Sequence, residues 1–180
     1  MGSGDRACGP VRRALGVLLI GAAANAAPAA AQMSAPPARP HEVVLQTAAL
    51  PALRELWRLS LEAREERVAC LGGRIEQDTA YVERLKPLTT SAGDSLAVSA
   101  EASLEDCNPP EWFGTVHTHV PLSDTDPIYS NFSGADHGVM LTWVGRWRTN
   151  GIFCLLFSES GARCQVEGIE GISVVPRMQY

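Results

Sequence analysis

The 180-residue chain has room for one domain and a leader, with a formal net charge of −5, 46% hydrophobic residues and 19% charged residues. This composition is ordinary for a globular protein and excludes a chain that is disordered throughout. The sequence has no basic stripe with interleaved aromatic residues, so nucleic acid is not an expected partner.

The N-terminus has the pattern of an export signal. Arg12 and Arg13 precede an apolar run of about 11 residues, which is shorter than the roughly 20 residues that span a bilayer. Small residues suited to cleavage follow, so we predict a signal peptide over residues 1–31 and no stable membrane insertion after cleavage. The mature protein is then periplasmic or secreted. Residues 32–48, rich in Ala and Pro, are predicted to be a linker or tail, and residues 49–180 the folded domain.

The first half of this domain predicts one helix and several strands. Apolar residues at mostly helical spacing predict a helix over residues 50–67, and Pro51 suits its first turn. Two strands are predicted next, over residues 66–75 and 79–85, with a turn between them. A further strand is predicted over residues 95–102.

A strand around residues 112–120 carries two of the four histidines of the chain, His117 and His119. Side chains alternate between the faces of a strand, so the two imidazoles project the same way and have the spacing to grip one metal ion. For the pair alone, two partly exposed strand histidines without a ligand are the simpler interpretation.

After this strand comes a long polar loop over residues 121–132, which contains Asp124 and Asp126. Ser133 and Asp136 follow at the spacing of a helix-capping pair. One helix and three strands are predicted beyond the loop, over residues 137–144, 152–157, 163–166 and 172–175. The order of helices and strands predicts a mixed α/β sandwich.

Four of the five cysteines lie outside the leader, and an even number in an exported domain predicts two disulfides. Four cysteines allow three pairings, and the sequence does not choose among them. Cys154 and Cys164 flank a turn, and pairing them across the hairpin leaves Cys70 with Cys107. The absence of a Cys-x-x-Cys spacing argues against a cysteine zinc site.

The chain contains, in order, a glutamate, a His-x-His pair and a Ser-x-x-Asp pair: Glu66, His117-Thr118-His119 and Ser133-Gly134-Ala135-Asp136. This order resembles the motif of the JAMM/MPN+ (Mov34/MPN/PAD-1-like) zinc metalloproteases. The resemblance covers roughly residues 50–170 and, with the leader, implies an exported bacterial member. The chain departs from the family pattern in having Val120 before Pro121 and a loop about six residues longer.

The resemblance implies a mixed β-sheet sandwiched by helices, with a cytidine-deaminase-like core. It further implies one zinc ion, bound by His117, His119 and Asp136, with the fourth position open as in catalytic zinc sites. Glu66 would act as general base and then general acid, and the Ser133 hydroxyl would donate to the oxyanion. The implied reaction is hydrolysis of a peptide or isopeptide bond in a peptide or protein substrate.

Several alternatives remain open at this point. Asp124 and Asp126 compete as third ligand, and His137 is a candidate partner beside Asp136. The domain is alternatively a non-catalytic MPN-fold binding or scaffold module of the cell envelope. A metal-binding β-barrel of the cupin type also uses His-x-His, but the downstream Glu and His of that pattern are missing.

Overall fold

The computed structural model describes residues 39–89, 100–121, 123–168, 171–175 and 178–179. The chain divides into two compact units, residues 1–34 and 35–180, and every described residue belongs to the second. The predicted signal peptide lies outside the described residues. Within the described part, no helix is long and apolar enough to cross a membrane.

Three helices are interspersed among the strands of the described chain. The helices found there are α1 Leu50–Ala63, α2 Ala100–Asp106 and α3 Gly134–Trp147. The strands are β1 Glu42–Leu45, β2 Val68–Glu76, β3 Thr79–Pro87, β4 Gly114–Thr118, β5 Gly151–Leu156, β6 Ala162–Gly168, β7 Gly171–Val175 and β8 Met178–Gln179. They form one mixed sheet in the order β7-β6-β5-β4-β2-β3-β1-β8.

Successive strand residues point to opposite faces of the sheet. The central strands are buried on both faces because α1 packs against one face and α2 and α3 pack against the other. On one face, Leu71 and Val116 belong to the apolar cluster that includes Leu53 and Leu56 of α1. On the other face, Phe153 belongs to a second cluster, with residues of α2 and α3: Leu104, Met140 and Trp143. The prediction of a mixed α/β fold is confirmed, with helices packed against both faces of the sheet.

The parallel pairing of β4 with β5 argues against the cupin alternative. Cupins are double-sheet jelly rolls of antiparallel strands, whereas β4 and β5 are joined by a crossover that contains α3. Such a crossover belongs to an α/β arrangement.

Several predicted boundaries are wrong, each for a local reason. The first helix ends at Ala63 instead of residue 67, because Arg64 adopts the left-handed conformation (φ 54°) and its N–H donates back to Leu61. Glu66 therefore lies in the loop before β2. The strand predicted over residues 95–102 is contradicted where it can be seen, since Ala100 begins α2, a helix that buries Leu104.

The sequence predicts no strand before α1, yet β1 lies within the stretch interpreted as linker or tail. Its four residues pair in parallel with β3, with Val43 opposite Ala80. Val43 and Leu45 are buried in the α1 cluster. A strand this short, beside a Pro-rich stretch, has too little alternation to be recognised from sequence.

Two disulfides fasten the sheet. Cys154 and Cys164 face each other on β5 and β6, with Cα atoms 4.1 Å apart. Cys70 of β2 pairs with Cys107, which directly follows α2. Both predicted pairings are confirmed.

We predict that Gly114→Ala destabilises the domain by on the order of 3 kcal/mol, as overpacking does. A Cβ at Gly114 would lie 1.7 Å from the carbonyl oxygen of Ile152, so β4 and β5 would have to separate. Urea unfolding measures the change. The control is Gly145→Ala in α3, where a Cβ meets nothing within 4 Å. This substitution should raise the free energy of unfolding by up to about 1 kcal/mol, because Ala favours the helix over Gly. Equal stability of the two variants would contradict the prediction.

Candidate metal centre

Three predicted ligands converge on one point beside β4. His117 Nε2 lies 3.3 Å from His119 Nε2 and 3.3 Å from Asp136 Oδ1, and His119 Nε2 lies 3.6 Å from Asp136 Oδ2. Zinc bonds of about 2.0–2.1 Å in a tetrahedral site place neighbouring ligand atoms about 3.3–3.4 Å apart. The three side chains therefore fit one face of a zinc tetrahedron, and within the described residues they are the group able to hold a metal.

The ring of His119 is oriented by the long loop. Its Nδ1 lies 3.0 Å from the carbonyl oxygen of Tyr129, an acceptor, so Nδ1 carries the proton and donates it. Nε2 is then left with a lone pair, which is the form that binds metal. The long loop between His119 and Asp136 thus holds the His119 ring in place.

Asp136 is aimed by the start of α3. The hydroxyl oxygen of Ser133 accepts from the Asp136 N–H at 3.2 Å, and Asp136 Oδ2 accepts from the Ser133 N–H at 2.5 Å. This reciprocal capping box fixes the carboxylate while Oδ1 remains directed at His117. Capping and metal binding are therefore compatible in one side chain.

Glu66 lies at the edge of the same group, with Oε1 3.7 Å from His119 Nε2. Burial raises the pKa of its carboxyl group, although the neighbouring histidines oppose the rise. The carboxylate is close enough to exchange a proton with a water held beside His119, as a general base must.

The loop that carries Glu66 is held by the opposite face of β4. The Thr118 hydroxyl oxygen accepts from the Arg67 N–H at 2.9 Å and lies 2.5 Å from the Ser60 hydroxyl oxygen. The Thr118 N–H donates to the Arg67 carbonyl oxygen at 3.0 Å, and Ser60 donates to the Glu65 carbonyl. Residues on both sides of Glu66 are thereby tied to the strand that carries the histidines.

The electrostatics of the group favour a cation. Burial alone would raise the pKa of Asp136, but hydrogen bonds with both histidines outweigh it and hold that pKa well below its usual range. Burial alone would lower the pKa of His119, but the Asp136 hydrogen bond and the Glu66 charge outweigh it and raise that pKa. Two carboxylates thus face the nitrogens that would bind a metal.

The other sequence candidates lie elsewhere. Asp124 is exposed and forms an ion pair with Arg64 at 2.5 Å, so it does not approach the histidines. Asp126 lines the same surface cleft as the three candidate ligands, but it is not part of the ligand group. His137 donates from Nδ1 to the Ser133 carbonyl at 2.8 Å. The structure thus brings Asp136 to the histidine pair, and not the loop aspartates.

Comparison with known proteins gives a fold and no family. No family model matches the sequence, and no curated protein matches it. The solution structure of protein DSY2949 from Desulfitobacterium hafniense is similar with a TM-score of 0.50 and 16% identity, over 73% of this chain and 88% of that chain. AF2198, a JAB1/MPN domain protein from Archaeoglobus fulgidus, has a TM-score of 0.37 and 20% identity, over 68% and 86%. The first shows a shared fold, and the second is too weak to assign a family.

We predict that the protein binds one zinc ion and that His119→Ala weakens binding by more than about 100-fold, since it removes a ligand outright. Competition against a fluorescent chelator measures the affinity. His41→Ala is the matched control, because His41 is exposed and outside the ligand group. If both variants bound zinc equally well, the site would be wrong.

Thr118→Val should lower stability by about 1–3 kcal/mol, because at nearly constant side-chain volume it removes a buried hydroxyl that accepts from the Arg67 N–H and contacts the buried Ser60 hydroxyl. Zinc affinity should stay within about threefold of the parent, since Thr118 faces away from the ligands. Thr118→Ser keeps the hydroxyl and should recover most of the loss. Unfolding and zinc titrations of the three proteins test this, and loss of zinc binding in Thr118→Val alone would contradict it.

Proposed function

We propose that this protein is a zinc-dependent metallopeptidase or isopeptidase that hydrolyses a peptide or isopeptide bond outside the cytoplasm. The observation that carries the proposal is the spacing of the His117, His119 and Asp136 ligand atoms, which fits one zinc ion, with the Glu66 carboxylate beside them. The resemblance of these residues to the JAMM/MPN+ motif supports the same conclusion.

A zinc ion held by His117, His119 and Asp136 would supply Lewis-acid chemistry, making a water molecule more acidic and polarising the carbonyl group of the substrate. Glu66 accepts the proton of the attacking water and later gives it to the departing amine. The raised pKa of Glu66, caused by burial, suits a group that must take up a proton and release it again.

Ser133 is proposed to stabilise the carbonyl oxygen of the substrate. Its hydroxyl oxygen accepts from Asp136 N–H, so its own proton is free to donate. The side chain is exposed at the edge of the cleft that contains the ligand group. A hydrogen bond aimed at an oxygen that gains charge in the transition state accelerates acyl transfer.

A periplasmic or secreted location is part of the proposal. Two disulfides are typical of proteins that fold in oxidising compartments. The predicted leader supports the same location.

Glu66→Gln should retain zinc and lose hydrolysis by about 100- to 10,000-fold, because the amide cannot carry the proton. The assay incubates the protein with a proteome-derived peptide library, and mass spectrometry counts the new termini, with and without a chelator. Glu65→Gln is the matched control, because the Glu65 carboxylate pairs with Arg67 at 2.5 Å. This substitution should leave hydrolysis unchanged.

Cleavage by Glu66→Gln at the parental rate would remove Glu66 from the mechanism. A parent protein that binds zinc but cleaves neither the peptide library nor isopeptide-linked peptides would favour a non-catalytic binding module. Cleavage that survives chelation and is not increased by added zinc would contradict a metallopeptidase.

A further inference from the structure

The cleft that contains the ligand group extends well beyond it. Its volume is about 790 Å³, within the range of sites that enclose molecules the size of a short peptide. Its floor consists of side chains that are almost fully buried, with exposed fractions of 6% for Thr115, 1% for Met140 and 2% for Phe153. Val68 and Val139 also line it. We call this inner part, defined by these five residues, the recess.

The recess lies directly beside the candidate metal ligands. Thr115 precedes His117 by two residues on β4 and therefore points to the same face of the sheet. Phe153 is the β5 neighbour of Thr115, and Val68 is the β2 neighbour of His117.

The other wall of the recess is α3. Val139 and Met140 follow Asp136 by three and four residues, so all three lie on one side of the helix. A group bound at the metal is therefore one helical turn from the recess.

The cleft has its charged groups outside the recess. The charged side chains among its described lining residues are carboxylates, from Glu66, Asp126 and Asp136, and no described Lys or Arg lines it. The recess itself carries no charged group, so burying a charged side chain there would leave it unpaired at a high cost. An aliphatic or aromatic side chain instead gains free energy from leaving water.

We propose that the recess binds an apolar side chain of the substrate residue next to the scissile bond, so that the enzyme selects aliphatic or aromatic residues at that position. The identity of the bond rests on the proposed function. The recess then acts as the specificity pocket of the site, and Met140 and Phe153 contact the bound side chain.

Zinc-binding hydroxamates test the recess without requiring turnover. Two series carry Gly, Leu, Phe or Asp side chains, placed before or after the hydroxamate. In one of the series, Leu or Phe should bind about 10- to 100-fold more tightly than Gly, as burial of such a side chain predicts. Asp should bind no more tightly than Gly. Displacement of a fluorescent hydroxamate measures each affinity, and zinc content is measured in parallel.

Val139→Trp should fill the recess and abolish the preference for Leu and Phe while zinc stays bound. Leu141→Trp is the matched control, because Leu141 on the same helix is 62% exposed and lies outside the cleft lining; it should leave the preference intact. A crystal structure of the parent with the tightest compound gives an independent readout, with the apolar side chain expected against Met140 and Phe153.

Equal affinity for all side chains in both series, or a bound side chain placed outside the recess, would overturn the proposal. The outcome is separable from that of the proposed function. Apolar preference in a zinc-loaded protein that cleaves no peptide supports the recess and removes the hydrolase. Chelator-sensitive cleavage without side-chain preference supports the proposed hydrolase and overturns the proposed role of the recess. A protein that binds neither zinc nor any hydroxamate overturns both.

Discussion

The candidate site depends on the placement of β4 between an antiparallel neighbour, β2, and a parallel one, β5. Alternation along this strand places His117 on the side of α3 and Thr118 on the side of α1, so one five-residue strand contacts both the candidate metal-binding group and the loop that carries Glu66. A slip of one residue would exchange the two faces. The close approach of Gly114 to Ile152 and the hydrogen bonds on both edges hold the strand in register.

The two partly buried carboxylates of the candidate site have opposite electrostatic environments. Asp136 lies against both histidine rings, and its pKa is held low, as suits a proposed metal ligand. Glu66 receives less compensation for its burial, and its pKa is raised, as suits a proton carrier. Divergent pKa shifts in neighbouring titratable groups are how acid and base roles are divided within one site. The separation arises here because the two histidines and the Ser133 N–H outweigh the burial of Asp136, whereas the histidine charges only partly offset the burial of Glu66.

The parts of the site that sequence predicts are those set by local rules. Strand alternation places His117 beside His119, and the capping spacing places Asp136 at the start of a helix. The mixed fold was predictable from the order of helices and strands. The turn between Cys154 and Cys164 suggested that pair, although the sequence did not choose among the three possible pairings. The hydrogen bond from His119 to the Tyr129 carbonyl oxygen was not predictable from the sequence, because every residue type has a backbone carbonyl. The short β1 depends on its pairing with β3, which periodicity does not reveal. The early end of α1 follows from the left-handed conformation of Arg64, which its residue type does not signal.

The Cys70–Cys107 bond has a consequence for the cleft. Cys70 is the β2 neighbour of Thr115 on the cleft floor, and α2, which ends at this bond, contributes Ser103 to the cleft wall. Reduction would leave that wall held by non-covalent packing alone, including that of Leu104. The thiol redox state of the surroundings would thereby be coupled to the shape of the cleft floor, and oxidation of this cysteine pair would help to form the proposed site as well as stabilise the fold.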